Sequence, residues 1–163
     1  MSLARVGVRV SLPAALSVVG STRRYLDQFV LALSANAAAA SQVALAVHEL
    51  FDNAIRHATG GAVELAVELE DGSASFTSLT VQTLNQASEQ DCSEVQRILD
   101  EMHGAHDPME HFDREIRASV GRKNSGLGLV RVCTEAKMNL SCHCEKGYLS
   151  VTGTTTVTLG RVA

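Results

Sequence analysis

The sequence predicts an α+β fold: a two-layer sandwich with a mixed, mostly antiparallel sheet covered on one face by helices. Three observations lead there. Hydrophobic patterning runs strand, helix, helix, strand, strand, polar segment, helix, strand, strand, not the strict alternation that builds a doubly wound parallel sheet. Short connections at Asp71-Gly72 and Lys146-Gly147 suit antiparallel hairpins. The chain has 163 residues, 45% hydrophobic and 20% charged, enough for one packed core. A single domain over 1–163 is expected, with a lid-like segment at about 85–125.

The elements follow in order. Val6, Val8 and Val10 alternate with Arg5, Gly7 and Arg9, the period-two pattern of a half-buried strand. Pro13 opens a helical region holding Leu16, Val19, Tyr25, Leu26, Phe29, Val30 and Leu33, closed by Ser34-Ala35-Asn36. Residues 37–58 are alanine-rich, carry no interior Gly or Pro, and stop at Gly60-Gly61, which predicts the longest helix. Strands over 62–70 and 75–84 meet across Asp71-Gly72. The polar segment 85–124 carries two short helical patterns, one with Val95, Ile98, Leu99 and Met102, the other with Phe112, Ile116 and Val120. That is long for a plain connection and reads as a lid or binding segment. Gly126-Leu127-Gly128-Leu129 then leads into a helix to about 137, and strands over 138–145 and 148–159 finish the chain.

Composition excludes several classes. Fourteen Lys and Arg against eighteen Asp and Glu give a net charge of −4, so there is no general basic footprint for nucleic acid. Four Phe, two Tyr and no Trp leave few stacking platforms for single strands. No apolar run reaches the roughly 18 residues that span a bilayer, and the N-terminus lacks the apolar stretch of a signal peptide. A cytoplasmic location is expected. Cys92, Cys133, Cys142 and Cys144 are then expected to stay reduced, with Cys142 and Cys144 on one face of a strand, packed as small apolar residues. His103, His106 and His111 lie in polar sequence without a ligand spacing and read as solvated.

On the long helix, at about 100° per residue, Val43, Val47, Leu50 and Ala54 form the core stripe. Glu49, Asn53 and His57 recur at steps of four and line one flank of it. A carboxylate, an amide and an imidazole therefore border the buried face; on spacing alone this reads as a solvated polar edge with one helix-terminal His. The string Glu49-Leu50-Phe51-Asp52-Asn53-Ala54-Ile55-Arg56-His57 resembles the N-box of the GHKL (histidine-kinase-like) ATPases at every fixed position of ELxxNAxxH. The resemblance implies a Bergerat-type ATP-binding fold with ATP and Mg²⁺ as ligands. By position, Asn53 would hold the metal, Glu49 would be the general base or orient the accepting group, and His57 would approach the phosphates. Mg²⁺ is a hard ion shared with phosphates and water, so one protein amide can suffice.

Lys123-Asn124-Ser125-Gly126-Leu127-Gly128-Leu129 resembles the family's second glycine box. Glycines let backbone approach phosphates, and a helix N-terminus offers free N–H groups to an anion. Lys123, Ser125, Gly126, Leu127 and Gly128 thus join the nucleotide set, and Arg122 and Lys123 either add charge against a triphosphate or are exposed lid cations. The first glycine box, DxGxG, is missing: Val81-Gln82-Thr83-Leu84-Asn85-Gln86-Ala87 stands in its place. Asn85 can accept the hydrogen bond of the adenine amino group without the charge of the Asp. This strand end is closer to the SiaB-like kinases of bacterial partner-switching systems.

The resemblance implies an ATP-dependent protein serine/threonine kinase of the anti-sigma or partner-switching type, acting on a STAS-domain antagonist. The alternative is a catalytically degenerate module of the same fold that sequesters a STAS partner or sigma factor without turnover. Site and lid take nearly the whole length, so the partner is expected in trans. Val18 and Leu31, apolar positions on the first helix, suit a homodimer, a partner contact or simple packing equally.

Overall fold

A computed structural model describes residues 5–34, 36–73, 76–105 and 126–158, together with 107, 110, 113, 114 and 117. Strand β1 (Val6–Pro13) alternates half-buried and exposed positions as its sequence requires. Pro13 closes this strand, paired with Ala62, and does not open a helix. Having no N–H to donate, proline is tolerated where a strand lies at a sheet edge, and β1 is such an edge. A 3₁₀ turn (Leu16–Val18) intervenes before α1 (Val19–Ser34).

Asn36 opens α2 (Ala37–Arg56) rather than closing α1. Its side-chain oxygen accepts the N–H groups of Ala38 and Ala39 at 3.0 and 3.1 Å, satisfying two donors that the first turn leaves free. The expected core stripe Val43, Val47, Leu50 and Ala54 is buried, as is Phe51. Each of the larger of these side chains contributes about 1.5–3 kcal/mol by leaving water. The helix stops at Arg56, where the His57 N–H closes on the Asn53 carbonyl at 3.1 Å.

Strands β2 (Ala62–Ser73) and β3 (Phe76–Gln86) form a hairpin longer than the sequence suggests. Asp71-Gly72 is not the turn: pairing continues through a bulge to Ser73 opposite Phe76. Ladder hydrogen bonds override the turn preference of that dipeptide. The segment read as a lid begins with a formed helix, α3 (Glu89–Gly104), capped by the Ser88 hydroxyl and holding Ile98 and Leu99 buried. The pattern of Phe112, Ile116 and Val120 lies outside the described residues. Helix α4 (Leu127–Thr134) stops short of 137. Strands β4 (Asn139–Glu145) and β5 (Tyr148–Thr158) meet at Lys146 and Gly147, both left-handed with φ of 52° and 80°. That is the conformation a two-residue hairpin loop needs.

The sheet order is β1-β2-β3-β5-β4, and every neighbouring pair is antiparallel. Val63, Leu65, Val67 and Leu69 of β2 and Leu79 and Val81 of β3 point into one core with α1, α2 and α4. The architecture is the α+β sandwich expected. The cysteines depart from expectation: Cys92 on α3 and Cys144 on β4 are joined in a disulfide. Cys133 and Cys142 are free thiols. Burial pushes the Cys133 thiol up to about 11, so it behaves as a small apolar group. Among the described residues, no helix is long and apolar enough to cross a membrane.

Candidate functional site

One cleft of about 570 Å³ opens between α2, α3, the start of α4 and one end of β3 and β5, a size suited to a small organic ligand. Its floor comes from sheet register. Thr83 lies opposite Val151 and Asn85 opposite Leu149; the period of two turns all four into the cleft. Asn85 is 1% exposed, and its Nδ2 donates to the Gln86 carbonyl at 2.9 Å. A carbonyl only accepts, so the amide is fixed with its NH₂ toward Gln86. Oδ1 is left as the acceptor for a ligand's donor.

The polar flank of α2 forms the wall. Glu49, Asn53 and His57 all line the cleft, with Asp52 and Arg56 beside them. The N-terminal turn of α4 approaches this wall closely. A Cβ on Gly128 would lie 2.7 Å from Glu49 Oε2 and 3.3 Å from Asn53 Nδ2, so glycine lets the backbone approach the carboxylate and amide without displacing them. Gly126 caps α4 with φ of 64°, the left-handed region, and Leu127 follows on the cleft surface. The glycine box and the N-box residues therefore converge. Lys123 and Ser125 lie outside the described residues, as does Arg122.

His57 lines the cleft at the end of α2. Its Nδ1 meets Asp91 Oδ1 of α3 at 2.7 Å, tying the end of α2 to the first turn of α3. Partial burial pushes the Asp91 carboxyl up, but hydrogen bonds with the Ser88 hydroxyl and the His57 ring outweigh it. The carboxyl is held below the usual carboxylate range. The ring's Nδ1 is thus engaged by a carboxylate while the residue stays on the cleft wall.

Arg131 escaped the sequence reading. From α4 it hydrogen-bonds the Glu49 carboxylate through Nη1 and Glu135 through Nε at 2.9 Å. The Glu135 contact, partly offset by burial and reinforced by Glu49, raises its guanidinium above the ordinary value. It stands three residues after Gly128, one helical turn on the same face, which is the signal that would have found it. Thr83, two residues before Asn85 on the same strand face, carried a similar signal.

The profile of the histidine kinase-like ATPase domain matches residues 12–151, nearly the whole chain. The chain belongs to the histidine kinase-like ATPase family. Membership implies ATP as the ligand of the domain. No curated protein matches. Among solved structures, the chain is similar in fold to the crystal structure of the SiaB–SiaC complex from Pseudomonas aeruginosa. The TM-score is 0.60 at 14% identity, covering 92% of this chain and 89% of that one. At that identity the likeness speaks for the fold alone.

The donor set fits a magnesium nucleotide. The Asn53 side-chain amide makes no hydrogen bond to any described residue and stands beside Glu49 at the glycine backbone. Hard oxygen donors of this kind suit Mg²⁺ shared with phosphates. Among the described residues no group of three His, Cys, Asp or Glu side chains could hold a metal by itself. Asn53 is the residue that would hold such a cation together with nucleotide oxygens.

Proposed function

We propose that this domain is an ATP- and Mg²⁺-dependent protein serine/threonine kinase of the partner-switching type, acting in trans on a STAS-domain antagonist. The observation that carries the reading is the convergence of Glu49, Asn53 and Gly128 at one point of the cleft. The base of the nucleotide sits over Thr83, Asn85, Leu149 and Val151, its amino group donating to Asn85 Oδ1. The phosphates run toward Gly126, Leu127 and Gly128, where the α4 N-terminus offers free N–H groups. Asn53 would hold magnesium together with the phosphates, and a cation there would supply charge neutralisation for transfer of the γ-phosphoryl group.

Glu49 is the general base. It takes the proton of the incoming serine or threonine hydroxyl while the oxygen forms its bond to phosphorus and the bond to ADP breaks. Arg131 positions that carboxylate, so it is a positioning residue. Its ion pair must loosen for Glu49 to reach the hydroxyl. The likeness to a two-protein complex supports a protein partner in trans.

A second reading has its own observation. Glu49 is engaged by Arg131 and the first glycine box is absent, which favours a non-catalytic domain that binds nucleotide and sequesters its partner. Phosphotransfer separates the two. With γ-labelled ATP and a STAS-domain protein as acceptor, the wild-type chain transfers label. Glu49→Gln keeps ATP affinity within about threefold and loses at least about 100-fold in rate, the scale of a lost general base. Transfer by Glu49→Gln at the wild-type rate overturns the base assignment; no transfer by wild type despite ATP binding establishes the second reading.

A further inference from the structure

Helix α3 supplies Gln90, Asp91, Glu94, Val95 and Ile98 to the wall of the cleft. It packs on edge strand β4, and the disulfide lies at that contact. Cys92 and Cys144 have Cα atoms 6.1 Å apart, within the range a disulfide spans. One turn further along, Cys142 Sγ donates to Gln96 Oε1 at 3.2 Å. These two contacts and the His57–Asp91 pair add to the buried Ile98 and Leu99 in holding the helix segment that faces the cleft. The bond is not buried: it lies in an open groove lined by Cys92, Gln96, Arg97, Asp100 and Cys144, and Cys144 is exposed.

We propose that Cys92 and Cys144 form a reversible thiol–disulfide exchange site, taking low-molecular-weight thiols and their disulfides as reactants, that sets whether α3 is fixed over the nucleotide cleft. The bond closes a loop of 52 residues' separation that contains α3 beyond Cys92 and the glycine box, so one modification restrains two of the elements that line the site. In reduction, a thiolate attacks the accessible Cys144 sulfur. The Cys92–Cys144 bond breaks and the Cys92 thiolate leaves, taking a proton from water. A second thiolate attacks the added sulfur, frees Cys144 and departs as the small-molecule disulfide. Two reagent thiols are oxidised and two protein thiols restored; an excess of small-molecule disulfide reverses the sequence.

The other two thiols are the poorer nucleophiles. Burial raises the Cys133 thiol, and burial reinforced by Asp100 raises the Cys142 thiol too, which lowers the share of thiolate, the attacking form, at both. The consequence for ATP rests on the nucleotide reading above; the exchange chemistry does not. Fixing α3 preorganises one wall of the cleft, so the oxidised form binds ATP more tightly.

The test uses the full chain, equilibrated with oxidised glutathione or with dithiothreitol. Alkylation and peptide mapping follow, then ATP–Mg²⁺ titration and hydrogen exchange of residues 89–104. The oxidised chain is expected to yield a linked Cys92–Cys144 peptide, slower exchange in α3, and ATP affinity at least threefold above the reduced chain. Cys144→Ser should show the reduced behaviour under both conditions. Alkylation of both cysteines after oxidation, or equal α3 exchange in the two states, overturns the proposal. Equal or weaker ATP binding by the oxidised form overturns the coupling to the cleft. If neither form binds ATP while α3 exchange still differs, the nucleotide reading falls and the exchange site stands.

Discussion

Asn53 reaches the cleft because steps of four along α2 place it between Glu49 and His57 on one flank. That flank was legible from spacing, since the helix period converts three letters into a line of side chains. What spacing could not give is what faces each group. His57 lines the cleft and also meets Asp91, a residue 34 positions away; such a contact depends on how α3 docks. Asn53→Ala should leave the melting temperature within about 2 °C of wild type, because a half-buried side chain without a buried partner contributes little to stability. It should cost at least tenfold, about 1.4 kcal/mol, in Mg²⁺-dependent ATP affinity. A melting curve checks the first expectation and calorimetric titration of the variant the second.

Asp91 makes a pH prediction with a definite sign. Its carboxyl is held below its ordinary value of 3.8, so the folded state binds the proton less well than the unfolded chain. The stabilisation is complete above the unfolded value and is lost as pH falls through the folded one. Asp91→Asn should therefore be less stable than wild type at pH 5, with the gap narrowing steadily toward pH 3. Urea midpoints measured across that range report it, and a gap that stays constant would show that the Asp91 charge carries none of the difference.

At the scale of elements, the glycine box is where backbone conformation and packing meet. Gly126 holds φ of 64°, and a Cβ there would lie 2.7 Å from Ile98 Cδ1 of α3. Gly126→Ala should destabilise by about 1–2 kcal/mol from the left-handed backbone alone, with a further loss as Ile98 is displaced. At Gly20, in α1, an added methyl would meet nothing within 4 Å, so Gly20→Ala should melt at or above the wild-type temperature. Thermal melts of the pair distinguish a structural glycine from an incidental one. The order of elements was legible because hydrophobic periods of two and 3.6 survive in single stretches. Boundaries were not: Asn36 ends one helix in the sequence reading but caps the next, and Asp71-Gly72 runs through a strand.

For the whole molecule, the sandwich arranges two short motifs so that they share a single cleft. The sheet brings β3 and β5 together as its floor, α2 forms a wall, and α4 delivers the glycine backbone. The two motif windows could be read from the chain; Arg131 and Thr83 carried only the faint signal of their spacing from Gly128 and Asn85, and the α3–β4 disulfide carried none, because it acquires meaning only from a partner distant in sequence. Cys92 and Cys144 are 52 residues apart, and nothing in either local context marks the other. Everything proposed for the cleft depends on these converging groups binding magnesium nucleotide. Titration of the wild-type chain with ATP in the presence of Mg²⁺, then in EDTA, addresses that dependence. Saturable one-to-one binding is expected, weakening at least tenfold when the cation is removed. No binding at millimolar ATP, or the same affinity with and without Mg²⁺, would contradict it.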